Sequence, residues 1–170
     1  MDFKVGDKAV YPAHGVGEIR EIVTRELDGE STTFYVMRMD KGITISVPVD
    51  NARTIGMRPV ITADRVDEVY GILSYRDVPT DNQTWNRRYR DYQGKIGTGD
   101  PIEVAKVLRD LALLRADKPL SFGERKMFDQ ARDLLAQEIA CARSVDEKTI
   151  RDEMEGLFMP PAQPASALKA

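Results

Sequence analysis

The densest group of side chains that could bind a ligand lies in the segment TWNRRYRDY. It contains the only tryptophan of the chain, Trp85, followed by Arg87, Arg88 and Arg90. Counting Lys95 and the one aspartate in between, the local charge is +3 in a chain whose formal net charge is −3. Cations of this kind contact phosphates, and an exposed aromatic ring can stack on a base or enter between base steps. These residue types therefore point to a nucleic-acid contact.

The same segment also fits an ordinary amphipathic helix. Trp85, Tyr89, Tyr92 and Ile96 follow the spacing i, i+4, i+7, i+11, which places them on one helical face. That spacing favours an aromatic stripe packed in a core, with the arginines in water. However, Trp85 directly follows a polar loop, and a side chain in the first helical turn can project past the end of the helix. The pattern alone leaves both interpretations of Trp85 open.

A second basic cluster, Arg125 and Lys126, follows directly on a predicted helix start. Ser121 and Glu124 have the spacing of a capping box, and backbone N–H groups at a helix start also attract phosphate. The last predicted helix is acidic, so a negative net charge of the whole chain is compatible with a basic surface elsewhere. Proteins that hold DNA tightly on their own are usually basic. We therefore expect the isolated chain to bind DNA weakly and to need a second binding contact that holds it near the DNA.

Residues typical of enzymes and metal sites do not form a recognisable arrangement. His14 is the only histidine and lies in a glycine-rich bend, and Cys141 lies among apolar residues of a predicted helix. Neither fits a zinc site, which needs three or four ligands, or a nucleophile motif. The many carboxylates alternate with basic residues, so we expect them on solvated helix faces. The sequence thus predicts a protein that is not an enzyme and has no cofactor, metal or internal disulfide.

The elements that must position these residues change in character along the chain. Residues 1–60 have the alternation and β-branched content of short strands, with a hairpin turn at Asp28-Gly29, and predict a small antiparallel β-barrel. Residues 61–158 have helical periodicity and predict a compact bundle of about five helices, with Thr62, Asp100 and Ser121 as N-caps. The fold class is therefore α+β in two domains. Residues 159–170 are rich in Pro and Ala and are expected to be disordered.

The composition also bears on location. The N-terminus lacks the apolar core of a signal peptide, and no apolar run approaches the roughly 20 residues of a membrane helix. A single cysteine fits a reducing compartment. We expect a cytoplasmic protein without a membrane partner.

Three separated motifs give the chain a family resemblance. FKVGDKAVYPAHGVGEI, WNRRYRDY and LSFGERKMFDQARDLL occur in the order found in the CarD/CdnL family of bacterial transcription factors, which the chain resembles over residues 1–158. It is most similar to the stand-alone CdnL type, because its tail has one Lys and is no AT-hook extension. The resemblance implies a Tudor-like N-terminal barrel that binds the RNA polymerase β subunit at its β lobe. That barrel is similar to the polymerase-interacting module of the transcription-repair coupling factor.

The resemblance also assigns residues to the polymerase contact. An arginine that faces polymerase in some members corresponds to Arg25, and the strand before the family's Val-Pro corresponds to Ile45, Ser46, Val47 and Pro48. Some members carry arginine at the position of Ser46. Because this chain has Ser46 there, Arg25 and apolar contacts would supply more of the free energy of polymerase binding.

The helical domain, by the same resemblance, contacts promoter DNA at the upstream edge of the transcription bubble. Trp85 corresponds to the family's wedge in the minor groove, and Tyr89, Tyr92 and Ile96 are then expected to pack inward. The implied function is stabilisation of the open complex at ribosomal RNA and other promoters, by a monomer with little base specificity. An adaptor of the transcription machinery without DNA contact is the alternative. The DNA-contacting residues expected from the motifs are Trp85, Arg87, Arg88, Arg90 and, in the late helix, Arg125 and Lys126.

Overall fold

The computed structural model of the chain describes residues 2–79 and 82–158. Within these residues, five strands form one antiparallel sheet: β1 (Lys8–Tyr11), β2 (Gly15–Leu27), β3 (Glu30–Met39), β4 (Thr44–Pro48) and β5 (Arg58–Pro59). Their order in the sheet is β4-β3-β2-β1-β5. Asp28 and Gly29, with φ of 53° and 81°, make the predicted turn between β2 and β3, since two-residue hairpin loops need positive φ.

Side chains of the sheet alternate between a core face and an outer face, as strand geometry requires. Ile19, Tyr35, Met37 and Val47 are at most 3% exposed and form the core of the sheet module. A 3-10 turn and the single-turn helix α1 (Ala52–Ile55) connect β4 to β5. Within the described residues no ladder joins β4 to β5, so the outer edge of β4 carries no neighbouring strand.

In the described part of the chain, five longer helices follow the sheet: α2 (Ala63–Ser74), α3 (Trp85–Gly97), α4 (Pro101–Asp117), α5 (Phe122–Arg143) and α6 (Glu147–Phe158). Asp100 caps α4 by accepting a hydrogen bond from the backbone N of Ile102, and Ser121 and Glu124 form a complete capping box at α5. Thr62 occupies the N-cap position of α2 without a side-chain hydrogen bond. The α+β class, with an antiparallel sheet before the helices, is thus confirmed.

The aromatic stripe of α3 packs into the bundle only in its second half. Tyr92 and Ile96 are 5% and 1% exposed and belong to the bundle core. Tyr89 is 45% exposed, so the prediction that it packs inward is wrong. Its ring lies edge-on to that of Trp85, with centroids 5.7 Å apart, and its hydroxyl accepts a hydrogen bond from Gln93. These contacts within α3 keep the ring on the surface.

A charged cluster joins the sheet module to the bundle. Arg58 of β5 donates to both carboxylate oxygens of Glu138 on α5, at 2.6 and 2.8 Å, and to the carbonyl oxygen of Gly99 before α4. The backbone N of Ile61 donates to Glu138 as well, at 2.9 Å. Glu138 is only 4% exposed. The expectation that the carboxylates lie on solvated faces is therefore wrong for Glu138.

A second contact joins the start of β2 to the same helix. The backbone N of Val16 donates to the side-chain oxygen of Gln137 at 3.1 Å, and the Gln137 amide donates to Asp40 at 2.7 Å.

The division into domains at residues 60 and 61 stays a prediction. The tail predicted to be disordered lies outside the described residues. In the part of the chain that is described, no helix is long and apolar enough to span a membrane.

Candidate nucleic-acid interface and sheet edge

The first turns of α3 and α5 meet at Trp85. The indole ring lies so close to Gly123 that a Cβ atom at this glycine would be 3.1 Å from Cζ2 and 3.2 Å from Nε1. The ring also packs on the bundle core and lies at 6.4 Å, between centroids, from Tyr92. Trp85 is half-buried. The ring is thus neither a fully buried core residue nor a free surface side chain.

Arg88 and Glu124 form an ion pair beside this ring. The Arg88 guanidinium donates to Glu124 Oε2 at 3.1 Å, and its Cζ atom lies 5.2 Å from the centroid of the Trp85 ring. Burial disfavours the charge of Arg88, but hydrogen bonds to Glu124 and Tyr92 outweigh it and raise the pKa of Arg88. Glu124 is 6% exposed, a second exception to the expected solvated carboxylates.

The carboxylate of Glu124 also takes part in the capping box with Ser121. Burial opposes its charge, yet hydrogen bonds from Ser121 and Arg88 hold the pKa of Glu124 below its usual value. Ser121 N donates to Glu124 Oε1 at 2.9 Å, while Glu124 N donates to Ser121 Oγ at 3.2 Å. The start of α5 is therefore linked to α3 through one carboxylate.

The four other predicted DNA-binding cations stand in solvent. Among the described residues none of them has an ion-pair partner within 4.0 Å. Because Trp85 touches Gly123, the two basic clusters, which are distant in sequence, flank one junction between helix starts. We call Trp85 and these four cations the basic surface: Arg87 and Arg90 on α3, and Arg125 and Lys126 on α5. Direct contact of Arg88 with DNA stays a prediction. In such a contact the Arg88 guanidinium would bind a phosphate while it also remains paired with Glu124.

Phe122, the first residue of α5, is a candidate site residue that the sequence pattern did not predict. It is 85% exposed and precedes Gly123, so a second aromatic ring lies beside the basic surface. Its helical position predicts exposure, because it lies off the apolar face of α5. The buried residues of that face include Met127, Phe128 and Ala131. A large exposed aromatic side chain beside unpaired cations suits a stacking contact with a base or sugar.

The depressed pKa of Glu124 predicts how stability depends on pH. Since its folded pKa lies below the unfolded value of about 4.5, the stability it contributes is complete above that value. It is lost as the pH falls through the folded pKa. We expect the difference in melting temperature between the wild type and Glu124→Gln to be largest near neutral pH and to shrink below about pH 4.5. Glutamine keeps the capping geometry, so a difference that is constant with pH would contradict the charge-based explanation.

The predicted polymerase-contacting residues divide between the two faces of the sheet. Ser46 and Pro48 lie on the outer face, opposite Val36 and Phe34 of β3. Arg25 lies on the same face of β2, because Val23 pairs with Phe34 and Arg25 lies two residues further along. Ile45 and Val47 point to the core face, where Val47 is 1% exposed. Arg25, Ser46 and Pro48 thus share one face of the sheet, while Val47 packs in the core.

The open edge of β4 offers backbone groups as well. Met39 N donates to Ile43 O at 2.8 Å, which fixes the alternation of the ladder. By that alternation, residues 43, 45 and 47 bond to β3, whereas Thr44 and Ser46 direct their N–H and C=O groups away from it. A further strand could add at this edge, as in β-augmentation.

In the described residues, no group of His, Cys, Asp and Glu side chains could hold a metal ion.

Comparisons with known proteins cover both halves of the chain. The CarD-like/TRCF RID domain model matches residues 3–61, and the CarD C-terminal domain model matches residues 68–155. The candidate transcription factor YdeB of Bacillus subtilis (strain 168) is 32% identical over 154 residues, which cover 88% of this chain and 97% of YdeB. A solved structure of CdnLNt from Myxococcus xanthus is 42% identical with a TM-score of 0.31, covering 36% of this chain and 87% of that one. The chain belongs to the CarD/CdnL family of transcription factor-like proteins.

Proposed function

We propose that this chain binds the β lobe of RNA polymerase through its sheet module and stabilises the promoter open complex through the basic surface. Trp85 enters the minor groove at the upstream edge of the bubble and opposes reannealing. Arg87 and Arg90 contact the flanking phosphates, with Arg125 and Lys126 on the other side of the ring. The observation that carries this proposal is a half-buried tryptophan at the junction of two helix starts, flanked by four solvent-exposed cations.

The charge of the chain supports a tethered mode of action. With a formal net charge of −3, the isolated chain is not expected to hold DNA at physiological salt. Docked on polymerase at a promoter, the same surface acts at high effective concentration, so weak contacts suffice. Because stacking is tolerant of sequence, the proposal predicts little base specificity.

The polymerase contact is proposed for the outer face and open edge of β4. This assignment is supported by the match of residues 3–61 to a CarD-like/TRCF RID domain, whose relatives interact with polymerase. The backbone of Thr44 and Ser46 would pair with an edge strand of the β lobe, while Arg25 and Pro48 contact its surface. The β lobe would thus bind the outer face of the sheet, which lies opposite the core of the module.

The experiment that tests the function is an open-complex lifetime measurement on a ribosomal RNA promoter with the matched polymerase. Adding the wild-type chain should lengthen the lifetime, because it stabilises the open state relative to the closed one. An unchanged lifetime, at concentrations where the chain is bound to polymerase, would overturn the proposal.

Arg25→Ala is expected to weaken binding to the isolated β lobe by about 1–2 kcal/mol, or roughly 5- to 30-fold in Kd. Arg25 is exposed and has no ion-pair partner among the described residues, so its loss removes a contact without disturbing the core. Arg53→Ala is the matched control, because Arg53 is an exposed arginine of the same module that lies on α1 and not on a strand of the sheet. Calorimetry should show full affinity for the control, and equal Kd values for both variants would contradict the docking face.

A further inference from the structure

Gly123 has no conformational reason to be glycine. It lies in the first turn of α5 and is not among the residues with positive φ, so any residue could adopt its backbone conformation. Glycine within a helix is less favourable than alanine by up to about 1 kcal/mol. What the glycine provides is space: a Cβ atom would lie 3.1, 3.2 and 3.4 Å from Cζ2, Nε1 and Cε2 of Trp85.

The ring is held by charged groups as well as by this space. Arg88 Cζ lies 5.2 Å from the ring centroid, and the guanidinium is fixed by Glu124 at 3.1 Å. Glu124 is in turn fixed by Ser121 through the capping box, and its side chain is 8% exposed. A cation beside an indole ring is attracted to its π system. The Trp85 ring is therefore held in part by groups that are buried or partly buried.

We propose that Gly123, Arg88 and Glu124 are positioning residues that fix the Trp85 ring before DNA arrives; we call these three residues the Trp85 seat. The proposal rests on the proposed function of Trp85 as a wedge. A ring that is already ordered loses less conformational entropy on binding, so more of its stacking free energy stabilises the open complex. The seat also fixes the basic side chains of α5 relative to the ring.

Gly123→Ala tests the seat without removing any contact group. The added methyl group must displace the ring by a few tenths of an ångström, while alanine favours the helix. We expect an unchanged or higher melting temperature together with a several-fold shorter open-complex lifetime. Since Trp85 is the only tryptophan, its emission maximum and its quenching by iodide report on the same ring. Both are expected to change in Gly123→Ala.

Gly71→Ala is the matched control. Gly71 lies in α2, and a Cβ atom there would meet no atom within 4 Å. This variant should show a similar gain in helix stability with wild-type fluorescence and wild-type lifetime. Glu124→Gln is the second test, because it keeps the capping box and removes the charge that fixes Arg88. Increased quenching of Trp85 and a shorter lifetime are expected for it.

The outcomes separate this proposal from the function on which it rests. If Trp85→Ala leaves the lifetime unchanged, the proposed function fails. If Trp85→Ala shortens the lifetime but Gly123→Ala and Glu124→Gln keep wild-type lifetime and wild-type fluorescence, the seat is overturned and the function stands. A fluorescence change in both variants with unaltered lifetime would also overturn it, since ring position would then not affect the open complex.

Discussion

Replacing Trp85 with alanine is expected to shorten the open-complex lifetime by roughly 5- to 150-fold, because a stacking contact of about 1–3 kcal/mol is lost. The half-buried ring leaves part of its surface to meet DNA, while the rest packs on the bundle and against Gly123. Binding to polymerase should be unchanged, since the sheet module contains none of the affected contacts. Dissociation of open complexes on a ribosomal RNA promoter after competitor addition measures the effect.

The substitution also removes packing, so its effect on folding must be measured separately. Circular dichroism and thermal unfolding of Trp85→Ala show whether the bundle persists at the assay temperature. Tyr75→Ala is a matched control, because Tyr75 is an aromatic residue, 53% exposed, at the end of α2. It should leave the lifetime at the wild-type value. A folded, polymerase-binding Trp85→Ala with wild-type lifetime would refute the wedge and favour an adaptor without DNA contact.

Much of the fold is predictable because its determinants are local in sequence. The hairpin at Asp28-Gly29 and the helix starts at Asp100 and Ser121 depend on residues at most a few positions apart. Their backbone conformations follow from turn and capping chemistry, whatever the rest of the chain does. Helical periodicity likewise placed Tyr92 and Ile96 in the core, since a packed helix buries one face.

The contacts that assemble the site are not local, and the sequence pattern does not contain them. Arg88 and Glu124 are 36 positions apart, and Arg58 and Glu138 are 80 apart. A carboxylate on a charged helix is usually solvated, so the pattern gives no reason to pair these two with distant arginines. Tyr89 is the converse case, because its position on the stripe favours burial while its contacts within α3 keep it at the surface.

The largest effect on stability is expected at the junction between the modules. Glu138→Ala leaves the Arg58 guanidinium and the backbone N of Ile61 without the acceptor they share. Removing one partner of a buried ion pair costs about 3–5 kcal/mol when the remaining charge stays buried without a partner. Because Arg58 is 23% exposed and still donates to Gly99 O, we expect a loss at the lower end of that range. Thermal and denaturant unfolding should show this loss. Asp152→Ala is the matched control, because the Lys148–Asp152 pair is exposed, and no measurable change in melting temperature is expected.

The functional consequence distinguishes a coupling role from a purely stabilising one. If Arg58 and Glu138 hold the bundle in a fixed orientation on the docked sheet module, Glu138→Ala at a temperature where both modules remain folded should bind the β lobe normally. It should nevertheless shorten the open-complex lifetime, since Trp85 would no longer be held at one position relative to polymerase. The double variant Arg58→Met/Glu138→Met should recover part of the lost stability, because it removes the uncompensated charge of Arg58, while the backbone N of Ile61 still lacks its acceptor. Normal lifetime in a folded Glu138→Ala would show that orientation is fixed elsewhere, with the Gln137 contact to Val16 as the next residue pair to test.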